Sequence, residues 1–280
     1  MKALSREFAP GDLCAAFAVS RSSYYAWRRR VPSPRAQANA QLAVQIQALF
    51  EQHRQNYGSR RITAALRRTG TRCNHKRVER LMRQQGLKGR QPRRYRVRTT
   101  DSRHDEALAP NRLPEVPIRA PNQAWAVDLT YVPTGEGWLY VAGVLDLYSR
   151  KLVGWATADH LHTSLPLAAL ERALAQRQPP AGWLHHSDRG VQYASQEYRQ
   201  KLSACNAQVS MSRKANCYDN AAMESFWSTL KNELIHRDRY PTRAQAHRAL
   251  FAWIETYYNR VRLHSSLGYQ SPVDFENQLN

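Results

Sequence analysis

The stretch AWAVDLTYVP, residues 124–133, decides the fold of the second half of this chain. Its run of Trp, Val, Leu and Tyr is typical of a buried strand. Because successive side chains of a strand point to opposite faces, Asp128 and Thr130 lie on the face opposite Trp125. A carboxylate in the middle of so apolar a strand is costly to bury unless a cation holds it. Asp128 is therefore a candidate metal ligand.

Strands and helices alternate after this stretch. Two more strand-like runs, WLYVAGVLDLYS (138–149) and KLVGWATA (151–158), follow directly. Beyond them the pattern predicts a helix at about 164–177, a strand GWLHHSD, a helix near 195–204, a strand AQVSMS, and helices over 220–235 and 242–259. Three adjacent strands followed by alternating helix and strand indicate an α/β fold built on a mixed sheet.

Two further carboxylates stand where such a sheet forms a site. Asp188 ends the strand GWLHHSD, and sites in α/β sheets form at the carboxyl ends of strands. Glu224 lies in the helix NAAMESFWSTLKNEL, about 100° from the centre of its apolar stripe, where it can lean over the sheet. Carboxylate oxygens suit hard divalent cations. Two such ions ~4 Å apart promote an in-line displacement at phosphorus, which cuts or joins DNA according to the attacking oxygen.

Positive charge is concentrated in the first third of the chain. Residues 1–100 hold 23 Lys and Arg against 4 Asp and Glu, whereas the rest of the chain is nearly balanced. This distribution favours a nucleic-acid-binding region joined to a second, different domain. The alternative is a basic surface that is merely solvated. The sequence has no apolar stretch approaching the ~18 residues of a membrane span.

Helical patterns fill this basic region. Residues 11–30 read as two short helices with Ser20 as a cap, and a longer helix follows at about 36–54. Ser59 is expected to cap a helix to about Thr69, and Asn74 a second one that Gly86 closes. The second helix is basic on its free face, which is typical of a helix-turn-helix that reads a DNA groove. A basic helical hairpin without a DNA role is the alternative.

The basic residues of this region are the candidate DNA contacts. The tail RQPRRYRVR (90–98) adds a basic strip suited to phosphates. The predicted contacts are Arg60, Arg61, Lys76, Arg77, Arg80, Arg83, Arg93 and Arg94.

Composition divides the chain into four parts. We predict a small helix-turn-helix segment at 1–35 and a helix-turn-helix DNA-binding domain with its basic tail at 36–98. A proline-bearing linker at 99–121 and a catalytic core with a helical extension at 122–280 follow. In that extension, YYNRVRLHSSLGY sets Arg260, Arg262 and His264 beside aromatic residues. Such a segment is either a DNA or subunit contact or a packed tail.

The spacing of the motifs is similar to that of a known family. The resemblance rests on WxxDxT around Asp128, HSDxG at Asp188, 35 residues between Asp188 and Glu224, and a lysine beyond the glutamate. These features resemble the core of retroviral integrases and insertion-sequence transposases. The matching stretches extend almost end to end and are closest to the second-frame (OrfB-type) product of the IS3 family. They are CAAFAVSRSSYYAW, YGSRRITAALRRTG, RVERLMRQQGLKG, TTDSRH, PNQAWAVDLTYV, GWLYVAGVLDLYSRKLVGW, HHSDRGVQYAS, SMSRKANCYDNAAMESFWSTLKNEL and YYNRVRLHSSLGYQSPVDF.

The resemblance implies an RNase-H-like fold with a five-stranded mixed sheet, flanking helices and a preceding all-α helix-turn-helix region. It implies that Asp128, Asp188 and Glu224 are catalytic residues that hold two Mg²⁺ or Mn²⁺ ions. Lys231, seven residues after Glu224, matches a position that contacts DNA beside the site. Helix geometry agrees, since seven residues return to within about 20° of the same face.

Neighbouring polar residues are expected to have structural roles. The resemblance places Asp146 in a scaffold strand, and Asp219 precedes a helix start as an N-terminal cap. Adjacent histidines on an extended segment point to opposite faces and cannot share one ion, and the four cysteines show no paired spacing, so we expect no zinc. Four residues are expected to shape the site: His185, His186, Tyr218 and Asn220.

The leading hypothesis is a transposase that binds the terminal inverted repeats of an insertion sequence and performs strand cleavage and transfer. Its expected partners are double-stranded DNA of the element ends and target, further copies of itself in a dimer or larger assembly, and an upstream-frame (OrfA-type) product or fusion. The alternatives are a DNA-binding regulator that needs the upstream fusion for activity and a structure-selective nuclease. The start MKALSREFAPGD lacks a signal-peptide layout, so we expect a cytoplasmic, nucleoid-associated protein.

Overall fold

The computed structural model describes residues 4, 7–90, 109–213 and 217–279. The predicted contacts Arg93 and Arg94 lie outside the described residues, as does the side chain of Tyr218.

Five strands form one mixed sheet in the order β3-β2-β1-β4-β5. The strands are β1 (Ala124–Thr134), β2 (Gly137–Asp146), β3 (Leu152–Ala158), β4 (Leu184–Ser187) and β5 (Gln208–Met211). β1 pairs antiparallel with β2, and β2 with β3, whereas β1 with β4 and β4 with β5 are parallel. Gly137 allows the tight β1–β2 turn because its φ is +98°. This is the predicted RNase-H-like sheet.

Helices cover both faces of the sheet. The core helices are α6 (Ser164–Arg177), α7 (Val191–Ala194), α8 (Gln196–Ala204), α9 (Ala221–Leu230), α10 (Arg243–Phe251) and α11 (Pro272–Asn277). Trp125 and Val127 face the layer that includes α6, α7 and α8. Ala126 faces the opposite layer, where α9 and α10 lie. The side-chain alternation predicted for β1 is therefore present.

The two C-terminal helices differ from the continuous ones that we predicted. α9 passes into a π-helical turn at Lys231–Ile235, and α10 into a second one at Ala252–Tyr258. A π-turn contains one extra residue and is frequent at functional sites. The first π-turn buries Glu233 together with Leu234 and Ile235, which a regular amphipathic pattern did not indicate.

A separate helical layer precedes the sheet. Its helices are α1 (Pro10–Ala16), α2 (Arg21–Arg28), α3 (Pro34–Gln52), α4 (Ser59–Arg68) and α5 (His75–Gln84). α3, α4 and α5 enclose an apolar cluster centred on Ile46, Ile62 and Val78. The Asn74 side chain caps α5 by accepting from the Lys76 amide at 3.0 Å, as predicted. The Ser59 cap was wrong, because Gly58 occupies the cap position and Ser59 is already helical.

Contacts with the C-terminal segment tie the helical layer to the rest of the chain. Leu263 of the C-terminal segment belongs to the apolar cluster of α3, α4 and α5. In the described part of the predicted linker, 109–121, Leu113–Glu115 forms a 3₁₀ turn, and the Arg112 amide donates to Ser210 Oγ at 2.9 Å beside β5. This part of the linker therefore lies along the core. Of the helices described, none has the length and apolarity to cross a membrane.

Candidate active site and DNA-binding surface

Asp128 lies in the middle of β1, opposite Gly143 of β2. Trp227 Nε1 of α9 donates to Asp128 Oδ2 at 3.1 Å. A Cβ atom at Gly143 would come within 3.0 Å of the Trp227 ring, so the glycine leaves the space in which this indole reaches the carboxylate. We did not predict this contact of Trp227 with Asp128 across Gly143, although a glycine inside a strand is itself a sign of close approach.

Asp188 follows β4 directly and stands beside Asp128. The parallel register pairs Ala126 with His186, and two further residues on each strand bring the two acids level on neighbouring strands. Asp188 Oδ1 accepts from the Gly190 amide at 2.9 Å, which fixes its orientation in the turn. Burial, and after it the charge of Asp188, raise the pKa of Asp128 to about 8.

Glu224 is exposed in the first turn of α9, on the sheet face that carries Asp128. Its charge also raises the pKa of Asp128, and partial burial raises the pKa of Glu224 itself. The three predicted acids are thus within electrostatic reach of one another. Within the described ranges no three His, Cys, Asp or Glu side chains are grouped closely enough to enclose a metal ion. Like charges at short range repel, and this repulsion keeps the three carboxylates from converging on one point.

The residues present fit a divalent cation. The donors are carboxylate oxygens, which Mg²⁺ and Mn²⁺ prefer. The raised pKa of Asp128 reflects negative charge that is both desolvated and adjacent to Asp188. A cation bound between these acids would stabilise the ionised Asp128 carboxylate and so oppose both of these effects on its pKa.

Lys231 begins the π-turn and points toward the same site. Its Nζ lies 5.1 Å from the centroid of the Tyr131 ring. Burial lowers the pKa of Lys231, and the charge of Asp128 raises it. This lysine therefore lies within electrostatic reach of the carboxylates, as its helical phase indicated.

The paired histidines support the strand that carries Asp188. His185 is fully buried and hydrogen bonds to the Tyr198 hydroxyl at 3.0 Å, and burial lowers its pKa to about 3. His186 lies between Ser210 Oγ at 2.9 Å and Ser212 Oγ at 3.2 Å. Their rings point to opposite sides of β4, so they anchor the strand to two different neighbours.

The competing acids have structural partners. Asp146 is fully buried and accepts from the amides of Asn122, Tyr148 and Ser149 at 2.6–2.9 Å. Its scaffold role is confirmed. Asp219 is not the helix cap that we predicted, because it accepts from the backbone and guanidinium of Arg213 at 2.8–3.1 Å. This pairing lowers the pKa of Asp219 to about 2. Asp219 lies within a 3₁₀ turn at 217–220 that directly precedes α9. Asn220 occupies the cap position and makes no side-chain cap bond.

The predicted DNA contacts fall into two groups. Exposed basic residues occupy α5 and the start of α4, namely Arg60, Lys76, Arg80 and Arg83. Arg77 is half-buried and donates to Asn39 Oδ1 at 2.9 Å. Arg61 is also half-buried and donates to the Leu263 carbonyl at 3.1 Å. The Arg61 guanidinium therefore joins α4 to the C-terminal segment, and its contact with DNA stays a prediction.

A cleft of about 860 Å³ lies beside this basic surface, between α4 and the C-terminal turn. Arg60, Arg67 and Arg68 line one side, with Tyr269 and Asp274 opposite. Arg68 pairs with Asp274 at 2.6 Å. The cleft extends the positive surface from α4 toward the core.

The C-terminal motif is packed inside the protein. Arg262 is buried and pairs with Glu233 through contacts of 2.7–3.0 Å, and His264 is buried beside the Tyr258 ring. Arg260 alone of the three is exposed. The sequence left open either a DNA or subunit contact or a packed tail. For Arg262 and His264 the structure shows the packed tail.

Comparison with known family models supports the same division into a helical domain and a core domain. Two integrase core domain models match residues 118–217 and 206–272, and an HTH-like domain model matches residues 36–95. The simian T-cell lymphotropic virus intasome in complex with PP2A regulatory subunit B56 gamma aligns with a TM-score of 0.49 and 16% identity, covering 76% of this chain and 70% of that chain. The HTLV-2 integrase catalytic core domain in complex with magnesium (trimeric form) aligns with a TM-score of 0.44 and 15% identity, covering 56% and 97%.

Closer similarity exists among curated sequences. A protein of insertion element IS600 from Shigella sonnei, described as an uncharacterized 31 kDa protein, is 43% identical over 96% of this chain and 98% of its own length. The transposase InsF of insertion sequence IS3A from Escherichia coli K12 is 38% identical over 97% of this chain and 95% of its own length. The chain belongs to the IS3 family of insertion-sequence transposases, and it carries an HTH-like domain followed by an integrase core domain.

Proposed function

We propose that this chain binds the terminal inverted repeats of an insertion sequence and catalyses metal-dependent cleavage and transfer of DNA strands. The observation that carries the proposal is the pair Asp128 and Asp188, set level on neighbouring parallel strands, with the pKa of Asp128 raised to about 8. Glu224 adds a third carboxylate and Lys231 adds a cationic amine, and both lie within electrostatic reach of Asp128.

Asp128, Asp188 and Glu224 would hold Mg²⁺ or Mn²⁺, two ions per site. Bound ions would supply the charge that activates an attacking oxygen and steadies the leaving oxygen. Trp227 orients the Asp128 carboxylate through its indole N–H. Lys231, with its amine against the Tyr131 ring, is suited to a DNA phosphate beside the scissile bond.

DNA binding is assigned to the basic face of the helical layer. In a helix-turn-helix the second helix enters the major groove and the first crosses the backbone. Lys76, Arg80 and Arg83 of α5 are exposed for the groove, and Arg60 of α4 for a phosphate. Two ends must meet for transfer, so we expect a dimer or larger assembly on the nucleoid, with or without an upstream-frame partner.

A strand-transfer assay tests the enzyme against the regulator. Labelled element ends are incubated with the purified chain and Mg²⁺, Mn²⁺ or chelator, beside Asp188→Asn. We expect metal-dependent nicking and joining by the wild-type chain alone. Binding of the ends without any chemistry in the wild-type chain, with an upstream-frame partner present as well as absent, favours the DNA-binding regulator and rejects the enzyme.

Removing Arg60, the exposed arginine of α4 that we assign to a phosphate, is expected to change the salt dependence of end binding. Each phosphate contact contributes about −0.9 to the slope of log K against log salt concentration. Arg60→Ala should therefore make the slope shallower by about 0.9. Arg61→Ala should leave it unchanged, because Arg61 bonds within the protein. Fluorescence anisotropy over a salt series measures both slopes, and equal slopes in the two variants contradict the assignment.

A further inference from the structure

The C-terminal motif YYNRVRLHSSLGY contacts the sheet at one end. The Asn259 side chain bonds both the amide and the carbonyl of Leu152 in β3, at 3.0 and 3.1 Å. The Tyr258 hydroxyl donates to the Arg150 carbonyl at 3.0 Å. This end of the motif is thereby fixed to the catalytic core.

The same motif holds the DNA-binding layer a few residues later. The Leu263 amide donates to the Tyr57 hydroxyl at 2.8 Å, and its carbonyl accepts from Arg61 at 3.1 Å. Its side chain joins the apolar cluster of α3, α4 and α5. Leu263 is therefore a docking point between the two domains.

Between these two attachments lies a buried ion pair. Arg262 forms three contacts of 2.7–3.0 Å with the Glu233 carboxylate, and the two side chains are only 5% and 8% exposed. Glu233 belongs to the π-turn that begins at Lys231 and continues the helix of Glu224. The ion pair thus connects the docking point to the helix that carries site residues.

Direct contacts therefore extend from one domain to the other. They run from Tyr57 through Leu263 and Arg262 to Glu233, along the helix to Trp227, and from Trp227 to Asp128. A contact path alone does not establish coupling, since coupling requires an element with two arrangements that both sites influence. The candidate element is the helix of Glu224 with its π-turn, which contacts β1 through Trp227 and is held by Arg262 at Glu233.

We propose that Glu233 and Arg262 are positioning residues, which set the helix carrying Glu224 and Lys231 over Asp128 when DNA ends fix the helix-turn-helix domain on the core. The proposal rests on the proposed function, because it names the way end binding regulates that same site. A buried ion pair is a poor device for stability alone, since apolar side chains of similar volume commonly do as well. Its rigid, bidentate geometry is suited to holding an orientation.

Amide hydrogen exchange tests the coupling without any chemistry. End DNA is added to the wild-type chain in chelator, and exchange is followed in residues 221–235. We expect at least about threefold slower exchange in this segment on DNA binding. Glu233→Gln should bind DNA and lose that protection. Glu276→Gln is the matched control, because the similarly buried Glu276 pairs with Arg177 at 2.6 Å and with Lys151 at 3.0 Å, both residues of the core domain.

Two further variants keep the test valid where Glu233→Gln folds poorly. Glu233→Leu combined with Arg262→Met removes both charges together, so that no unpaired charge stays buried. Tyr57→Phe removes only the hydroxyl that accepts from Leu263. Both should retain wild-type end affinity and lower joining about tenfold, with a higher Mn²⁺ concentration for half-maximal rate. A purely structural role would change the melting temperature without changing the metal requirement.

The outcomes separate the two proposals. Unchanged exchange at 221–235 when wild-type protein binds DNA overturns the positioning role. The same holds if the apolar double variant joins DNA at the wild-type rate and metal concentration. Protection in the wild-type chain without metal-dependent joining supports the coupling and contradicts the proposed enzyme activity.

Discussion

Asp128→Asn is expected to lower metal-dependent joining of DNA ends by about 10³-fold or more, with end affinity within about twofold of wild type. An amide keeps the size of the side chain and can still accept from Trp227 Nε1, so the fold is retained. It removes the negative charge on which cation binding depends. A loss of that size corresponds to about 4 kcal/mol of transition-state stabilisation. Single-turnover joining in Mn²⁺ and anisotropy with labelled ends provide the two measurements.

The same substitution should stabilise the metal-free protein at high pH. The folded pKa of Asp128 is raised from 3.8 to about 8. Between these values the folded state holds a proton that the unfolded state releases, so wild-type stability falls as pH rises from about 4 to about 8. The Asn side chain of Asp128→Asn does not titrate, so this variant does not lose stability over the same pH range. At pH 8 in chelator we expect it to melt at least roughly 3 °C higher than wild type, with the gap narrowing toward pH 4 and on addition of Mn²⁺.

Asp159→Asn is the control for both measurements. Asp159 is an exposed carboxylate just after β3, so its loss changes the net charge by the same amount. Its joining rate and melting temperature should match wild type at every pH. A joining rate within tenfold of wild type for Asp128→Asn, or a lower melting temperature in chelator at pH 8, would contradict the assignment of Asp128 to the site.

The sheet and the positions of its acidic residues could be predicted from patterns within single strands and turns. The alternation around Asp128 placed it on the correct face of β1, and the turn after GWLHHSD placed Asp188 beside it. Each of these depends only on the period of a strand and on where it ends. The bounds of the four predicted parts and the roles of the site residues stay predictions.

Features that depend on register between elements were not predictable in this way. The contact of Trp227 with Asp128 requires Gly143 to lie opposite Asp128, and no local pattern fixes that pairing. The partners of charged side chains also depend on distant parts of the chain. Arg61 has the local sequence signature of an exposed DNA contact, yet its guanidinium bonds a carbonyl 202 residues away. A basic residue looks the same in sequence whether its partner is a phosphate or a distant carbonyl.

Arg262→Ala is expected to lower the free energy of unfolding by about 3–5 kcal/mol, because it leaves the Glu233 carboxylate buried without its partner. Urea unfolding followed by circular dichroism measures the loss. Arg68→Ala is the matched control, since Arg68 forms an equally short ion pair with Asp274 on the surface. That pair is screened by water, so its loss should cost at most about 1 kcal/mol. Equal costs for the two variants would contradict the burial of the Glu233–Arg262 pair.

The apolar double variant distinguishes what this ion pair contributes. Glu233→Leu with Arg262→Met leaves no buried charge unpaired, so we expect unfolding free energy within about 1 kcal/mol of wild type, far from the single Arg262→Ala variant. We expect this variant to regain the stability of the wild type, while its rate of DNA joining stays about tenfold below wild type. An ion pair retained only to stabilise the fold would show both properties restored together. Urea midpoints and joining rates measured on the same three preparations decide between these outcomes, because only an orienting role requires the guanidinium at that position.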